Sequence, residues 1–177
     1  MKLEGLIAAV HTPMDDDYSV DYDIVARQAE HLVKGGVSGA FVTGTTGECH
    51  SLTTEERLDL FNAWGQTEHR SELKFIAHVG HNNLPDAQAL VRSARDSGAD
   101  AISAMAPNFF KPADARSLCD WFVEMTKPAP ELPFYFYDIP AMTGVMVETD
   151  AFLNIAKERL PGFVGVKFTN QDYELLQ

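Results

Sequence analysis

The sequence predicts an α/β fold carried by a parallel sheet, and three observations lead there. Strand-like runs alternate with helix-like stretches six times along 177 residues, the last unit being incomplete. Pro107, Tyr137 and Lys167 each close a strand, at intervals of thirty residues, and such regular alternation implies right-handed crossovers. No Gly-x-Gly-x-x-Gly follows the first strand, which weakens the dinucleotide-binding version of an open sheet. An open doubly wound sheet and a (β/α)8 barrel both fit the alternation. A barrel takes eight strands and about 250 residues. Residues 1–177 would then be a single barrel domain, truncated after about six strands and incomplete at its C-terminal end.

The elements follow in order. Gly5 to Val10 is a first buried strand, ending at His11-Thr-Pro13. Ser19 is placed to cap a helix over about Asp21 to Lys34, which Gly35-Gly36 stops. Strand two, Gly39 to Thr43, runs into Gly44-Thr-Thr-Gly-Glu48, and Thr53 with Glu56 has capping-box spacing for a helix carrying Leu58, Phe61 and Trp64. Lys74 to Gly80 is strand three. Its helix starts near Leu84-Pro85 and ends before Gly98. Strand four, Ala101 to Ala106, leads to Pro107-Asn-Phe-Phe-Lys-Pro112 and a helix containing Leu118, Trp121, Phe122 and Met125. Strand five, Phe134 to Ile139, is closed by Pro140. A helix from after Thr149 to near Leu160 precedes the last strand, and Asn170 to Gln177 reads as the start of another helix.

The bulk properties exclude some function classes. Hydrophobic residues make up 45% and charged ones 23%, an ordinary globular mixture. A net charge of -12 argues against nucleic acid, whose binding needs a basic surface. No apolar stretch approaches membrane-spanning length, so no membrane partner is expected. Cys49 and Cys119 lie far apart and read as reduced thiols, as in a cytoplasmic protein.

The chemistry centres on Gly162 to Thr169, read Gly-Phe-Val-Gly-Val-Lys-Phe-Thr, which suits a fully buried parallel strand. Alternation puts Phe163, Gly165, Lys167 and Thr169 on one face and Val164, Val166 and Phe168 on the other. An unpaired buried ammonium is costly, so Lys167 is expected as a neutral amine able to form a Schiff base. Gly165 leaves room beside it. The competing reading is a lysine that simply extends into solvent.

In either architecture ligands bind at the carboxyl ends of the strands. There, the hydroxyls and N–H groups of Gly44 to Glu48 can converge on an anion, or form an ordinary tight turn. Tyr137, one strand before Lys167, can move a proton, or be a core tyrosine with a satisfied hydroxyl. A protonated Schiff base is an electron sink. Cleaving a carbon–carbon bond in a 2-oxo acid therefore needs an amine, a carboxylate site and a proton partner, which Lys167, Thr45 with Thr46, and Tyr137 supply. Thr169, at the end of the Lys167 strand, is a further substrate-binding candidate. His11, His78 and His81 form an alternative metal-binding set, without recognised ligand spacing.

Gly-Thr-Thr-Gly-Glu at 44 to 48, Tyr137-Asp-Ile-Pro140 followed by Thr143-Gly144, and Gly165-Val-Lys-Phe-Thr169 together resemble the pyruvate-dependent class I aldolase and lyase superfamily. That group contains N-acetylneuraminate lyase and dihydrodipicolinate synthase. The resemblance covers essentially the whole chain. It implies a (β/α)8 barrel, usually a homotetramer, with Lys167 as the Schiff-base lysine for pyruvate. It also implies Thr45 and Thr46 as carboxylate ligands, Tyr137 as the proton-transfer residue, and no metal or organic cofactor.

Residues 128–147 look most like the N-acetylneuraminate lyases, which implies reversible cleavage of a sialic acid to pyruvate and N-acetylmannosamine. Ala141-Met142 stands where the synthases carry an arginine for a second carboxylate. Asn108-Phe109-Phe110 replaces their Tyr-Tyr pair, and Asp138 departs from the His or Asn expected after the tyrosine. Another aldolase of the superfamily and a non-catalytic fragment are the alternatives.

Overall fold

The computed structural model describes residues 3–172 and 174. Six strands form one fully parallel sheet in sequence order: β1 (Ile7–Ala9), β2 (Gly39–Val42), β3 (Lys74–His78), β4 (Ala101–Met105), β5 (Phe134–Asp138) and β6 (Phe163–Phe168). Helices α1 (Ile24–Lys34), α2 (Thr54–Gly65), α3 (Leu84–Asp96), α4 (Ala115–Thr126) and α6 (Thr149–Arg159) alternate with the strands, and a four-residue α5 (Pro140–Thr143) follows β5. This is the predicted (β/α) barrel architecture through six strands. Among the described residues β1 and β6 each have one strand neighbour. Of the expected helix over 170–177, Tyr173 and Leu175 to Gln177 lie outside the described residues.

Two cores follow from strand alternation. The larger lies between sheet and helices and takes Phe134 and Phe136 of β5, Phe75 and Ala77 of β3, and Phe122 and Phe152 of α4 and α6. The smaller lies on the opposite, inner face and holds Phe41, Ile76, Ala101, Met105, Tyr137 and Ile139. The central strands β2 and β4 are buried at every residue, because neighbours cover both their edges and both their faces.

The outer strands depart from the sequence reading. β1 is shorter than Gly5 to Val10 and only half-buried, and β6 is half-buried with Val164 39% exposed. The full burial expected of the Lys167 strand therefore does not hold, since an edge strand has one neighbour to cover it. Its face assignment also changes at one residue. β6 pairs Phe163 with Phe134 and then Gly165 with Tyr135, which leaves Val164 as the extra residue of a bulge. Phe163 thereby turns to the helix layer, packing edge-on against Phe152, instead of sharing a face with Gly165 and Lys167.

Helix ends follow local hydrogen bonding. Thr53 and Glu56 form the predicted capping box of α2, and Asn83 accepts from the Asp86 N–H ahead of Pro85 at the start of α3. The expected start of α1 is wrong by three residues. The Ser19 hydroxyl and N–H both donate to Asp17 Oδ1, so Ser19 closes a turn instead of capping a helix, and α1 begins at Ile24.

Candidate functional site

The inner ends of β2, β5 and β6 meet in a group built around Tyr137. Parallel register sets Tyr137 directly beside Lys167, and the amine Nζ lies 3.5 Å from the centroid of the phenol ring. Phe41 of β2 adds a second ring 5.3 Å from Nζ, edge-on to Tyr137 at 5.6 Å. The Tyr137 hydroxyl is 3.2 Å from Thr45 Oγ1, with either atom able to donate. Lys167 Nζ donates to Thr169 Oγ1 at 3.1 Å. Lys167, Tyr137, Thr45 and Thr169 are thus joined by direct contacts. Thr46 is half-buried beside Thr45 in the same turn.

The turn after β2 is held in an unusual shape. Thr43 and Glu48 both have positive φ, 52° and 56°, a conformation disfavoured for side-chain-bearing residues that persists when surrounding contacts enforce it. Thr43 Oγ1 donates to the His78 carbonyl at 3.1 Å, and Thr12 Oγ1 donates to the Gly47 carbonyl at 2.7 Å. The Glu48 and Cys49 N–H groups turn back to Thr45 O and Gly44 O. Among the described residues the N–H groups of Thr45 and Thr46 donate to no protein acceptor. They remain as donors for an anion at the head of β2.

The space beside Lys167 differs from the expected arrangement. A cavity of about 270 Å³ on the inner face is lined by Ile7, Phe41, Ile76, Ser103, Tyr135 and Lys167. A second, of about 210 Å³, lies on the loop side of Thr45 and includes Cys49, His50, Asn108 and Met142. A larger groove, about 690 Å³, runs between β1 and α1, away from this group. Gly165 faces the Tyr135 ring, which a Cβ there would meet at 3.2 Å. The room at Gly165 is filled by that ring.

Several other sequence-flagged residues serve the frame. His78 is fully buried between the Phe41 and Tyr137 rings, and burial and then the Arg57 charge hold its pKa well below the usual imidazole value. His81 Nδ1 accepts from the Asn83 N–H, and His11 is exposed. Among the described residues no metal-type cluster forms from these or other His, Cys, Asp or Glu side chains. Asp138 is buried on the face away from Tyr137. Burial raises its pKa against the opposing Asn170 hydrogen bond, and its carbonyl accepts from the Thr169 N–H. It ties the segment after β6 to β5. Cys49 and Cys119 are free and buried.

Sequence reasoning missed Phe41 and Arg57. Arg57 is 1% exposed in α2 and donates to the carbonyls of His78, at 2.7 Å, and Gly80, at 3.0 Å. Helical spacing from Arg57 to Phe61 and Trp64 carries the available signal, a cation on a core-facing stripe.

Asn82 and Asn108 clasp the loop after β4, each side-chain oxygen accepting from the other residue. Phe109 and Phe110 project from that loop, 76% and 87% exposed and edge-on to each other. Among the described residues no helix is long and apolar enough to cross a membrane.

Known proteins share this fold. The chain is similar to the N-acetylneuraminate lyase of Danio rerio, at 40% identity over 172 residues, covering 97% of this chain and 56% of the relative. Its fold superimposes on Proteus mirabilis N-acetylneuraminate lyase with a TM-score of 0.95 at 35% identity, covering 99% of this chain and 59% of the other. A Ruminococcus gnavus sialic acid aldolase, described as a catalytic lysine mutant, gives 0.89 at 28% identity, covering 97% and 55%. The chain thus spans little more than half the length of the proteins it resembles. The Dihydrodipicolinate synthetase family matches residues 2–177, essentially the whole chain, and the protein belongs to that family.

Proposed function

We propose that the chain carries the pyruvate half-site of a class I aldolase acting on N-acetylneuraminate. The observation that supports it best is the contact of Lys167 Nζ with the Tyr137 ring while the Tyr137 hydroxyl meets Thr45. An amine, a phenol and an anion-binding turn are thereby brought together from three strand ends. Similarity to N-acetylneuraminate lyases, and to an aldolase described by its catalytic lysine, favours the sialic acid substrate.

In this reading the Lys167 lone pair attacks the C2 keto carbon of the open-chain sugar acid, and loss of water leaves a protonated Schiff base. The substrate carboxylate sits on the Thr45 and Thr46 N–H and hydroxyl groups. Tyr137 takes the proton of the C4 hydroxyl, the C3–C4 electron pair moves into the enamine, and N-acetylmannosamine leaves as the aldehyde. Tyr137 then returns that proton to C3 of the enamine, and hydrolysis releases pyruvate and the free amine. Thr169 holds Nζ toward the substrate. The scheme uses no metal or organic cofactor. A cytoplasmic homotetramer fits it, and the exposed Phe109 and Phe110 pair is the apolar surface that such an assembly would cover.

Borohydride reduction in the presence of pyruvate, followed by peptide mass mapping, tests the proposal. A pyruvyl adduct confined to Lys167 is expected, with none in K167M. An unmodified Lys167 in folded protein would overturn it.

A further inference from the structure

Arg57 presents a charge that nothing described in the protein balances. Among the described residues no carboxylate lies within ion-pair distance of it, its partners being the His78 and Gly80 carbonyls and His78 Nδ1 at 3.4 Å. Its Nε is buried without a partner. Burial pushes its pKa down to about 10, so it stays cationic at neutral pH. A buried cation without a counter-ion is costly, and an apolar residue of similar volume often serves stability better.

The surroundings show where the charge is felt. His78 O accepts from both Arg57 and Thr43 Oγ1, which links the guanidinium to the strained start of the turn after β2. The charge also acts on Cys49 and His50 at the far end of that turn. At Cys49, burial raises the thiol pKa against the opposing effect of Arg57. At His50, burial and then Arg57 lower the imidazole pKa. The Arg57 field therefore spans the segment that offers the Thr45 and Thr46 N–H groups.

We infer that Arg57 is a positioning residue whose uncompensated charge is the electrostatic partner of a ligand carboxylate seated on the Gly44–Glu48 turn. The ligand closes the ion pair across the turn without touching the guanidinium. This deepens the proposed function, and it rests on that reading only for the location of the carboxylate.

Pyruvate binding to K167M, followed by saturation-transfer NMR, removes imine chemistry from the measurement. Adding R57M is expected to weaken pyruvate binding about tenfold, as for a lost charge partner. Adding R57K, which keeps the charge but not the planar fork, should hold it within about threefold. Should R57M fail to give a folded melting curve, R57Q, which keeps an N–H donor for the carbonyls, carries the same expectation.

In the wild-type background, borohydride trapping of acetone, a ketone without a carboxylate, is expected to proceed equally with and without R57M. A purely structural role would impair acetone and pyruvate alike and would give R57K the same loss as R57M. Either result overturns the inference, as does unchanged or undetectable pyruvate binding in the K167M background. If pyruvate binds as expected but wild-type Lys167 forms no adduct, the Schiff-base reading fails and the Arg57 inference stands.

Discussion

Replacing Tyr137 with Phe separates the two ways in which that residue meets its neighbours. Phe keeps the ring on which Lys167 Nζ rests at 3.5 Å and the edge contact with Phe41, and removes only the hydroxyl that faces Thr45 at 3.2 Å. Loss of one partly buried hydrogen bond costs about 0.5–1.5 kcal/mol. At this chain length each kcal/mol moves Tm by about 2–4 °C, so the variant should melt within a few degrees of wild type. Catalysis should change far more. Forming the enamine requires proton removal at C3 of the pyruvyl imine, and a positioned acid–base group contributes about 10²–10⁴-fold.

The assay is exchange of the pyruvate methyl protons with deuterium, followed by NMR, which needs no sugar. Borohydride trapping at Lys167 is read alongside it. The expected pattern is an adduct at Lys167 in both proteins, with exchange at least ~10²-fold slower in Y137F. Equal exchange rates would refute the assignment of Tyr137 as proton carrier. A variant that loses trapping while still folded would show that the hydroxyl organises the site for imine formation instead.

Three other expectations follow. K167M should give no borohydride adduct, read by peptide mass mapping; a surviving adduct would place the chemistry on another lysine. Burial raises the Asp138 pKa in the folded state, so the wild type loses stability as pH rises from the unfolded carboxylate value, 3.8, through the folded one. D138N should therefore gain on wild type across that interval and hold a constant advantage above it, and a pH-independent difference in urea midpoints would sink this. Asp100 has the opposite sign. Burial acts upward on its pKa but is outweighed by the Phe75 N–H at 2.9 Å, Lys74 at 3.1 Å and Arg70 at 2.8 Å. Its stabilisation is present above pH 3.8 and lost as pH falls through the lower folded value. D100N should cost about 1.5–3 kcal/mol at pH 7 and flatten the acid limb.

What could be read from the sequence was whatever a single segment determines. The position of β4, the Thr53 to Glu56 capping box and the alternation of Tyr135, Tyr137 and Ile139 depend on local pattern, and they stand as expected. Lys167, Tyr137 and Thr45 could be named together because parallel strands end on one side, so order along the chain implies proximity. Features set by a second segment were not legible. The bulge at Val164 exists only relative to β5, and the half-exposure of β6 follows from having one neighbour. Ser19 matched the pattern of a helix cap until Asp17 competed for its donors. Arg57 drew no notice in the sequence because its acceptors, His78 and Gly80, are backbone atoms more than twenty positions away. The single turn of α5 carries too little periodicity to announce itself.

The pairing of Tyr137 with Lys167 makes the spacing of these two residues a property of the backbone. Adjacent strands sit about 4.8 Å apart because their hydrogen bonds require it, so the backbone roots of amine and phenol are spaced by a ruler that no side-chain substitution elsewhere can lengthen. The turns at the strand ends answer to no such ruler. On the proposed function, diversification of this scaffold would rewrite which aldehyde is admitted by exchanging residues of the strand-end loops, while the Lys167–Tyr137 pair keeps its gauge. An engineer seeking a new acceptor should randomise the loops and leave the sheet alone.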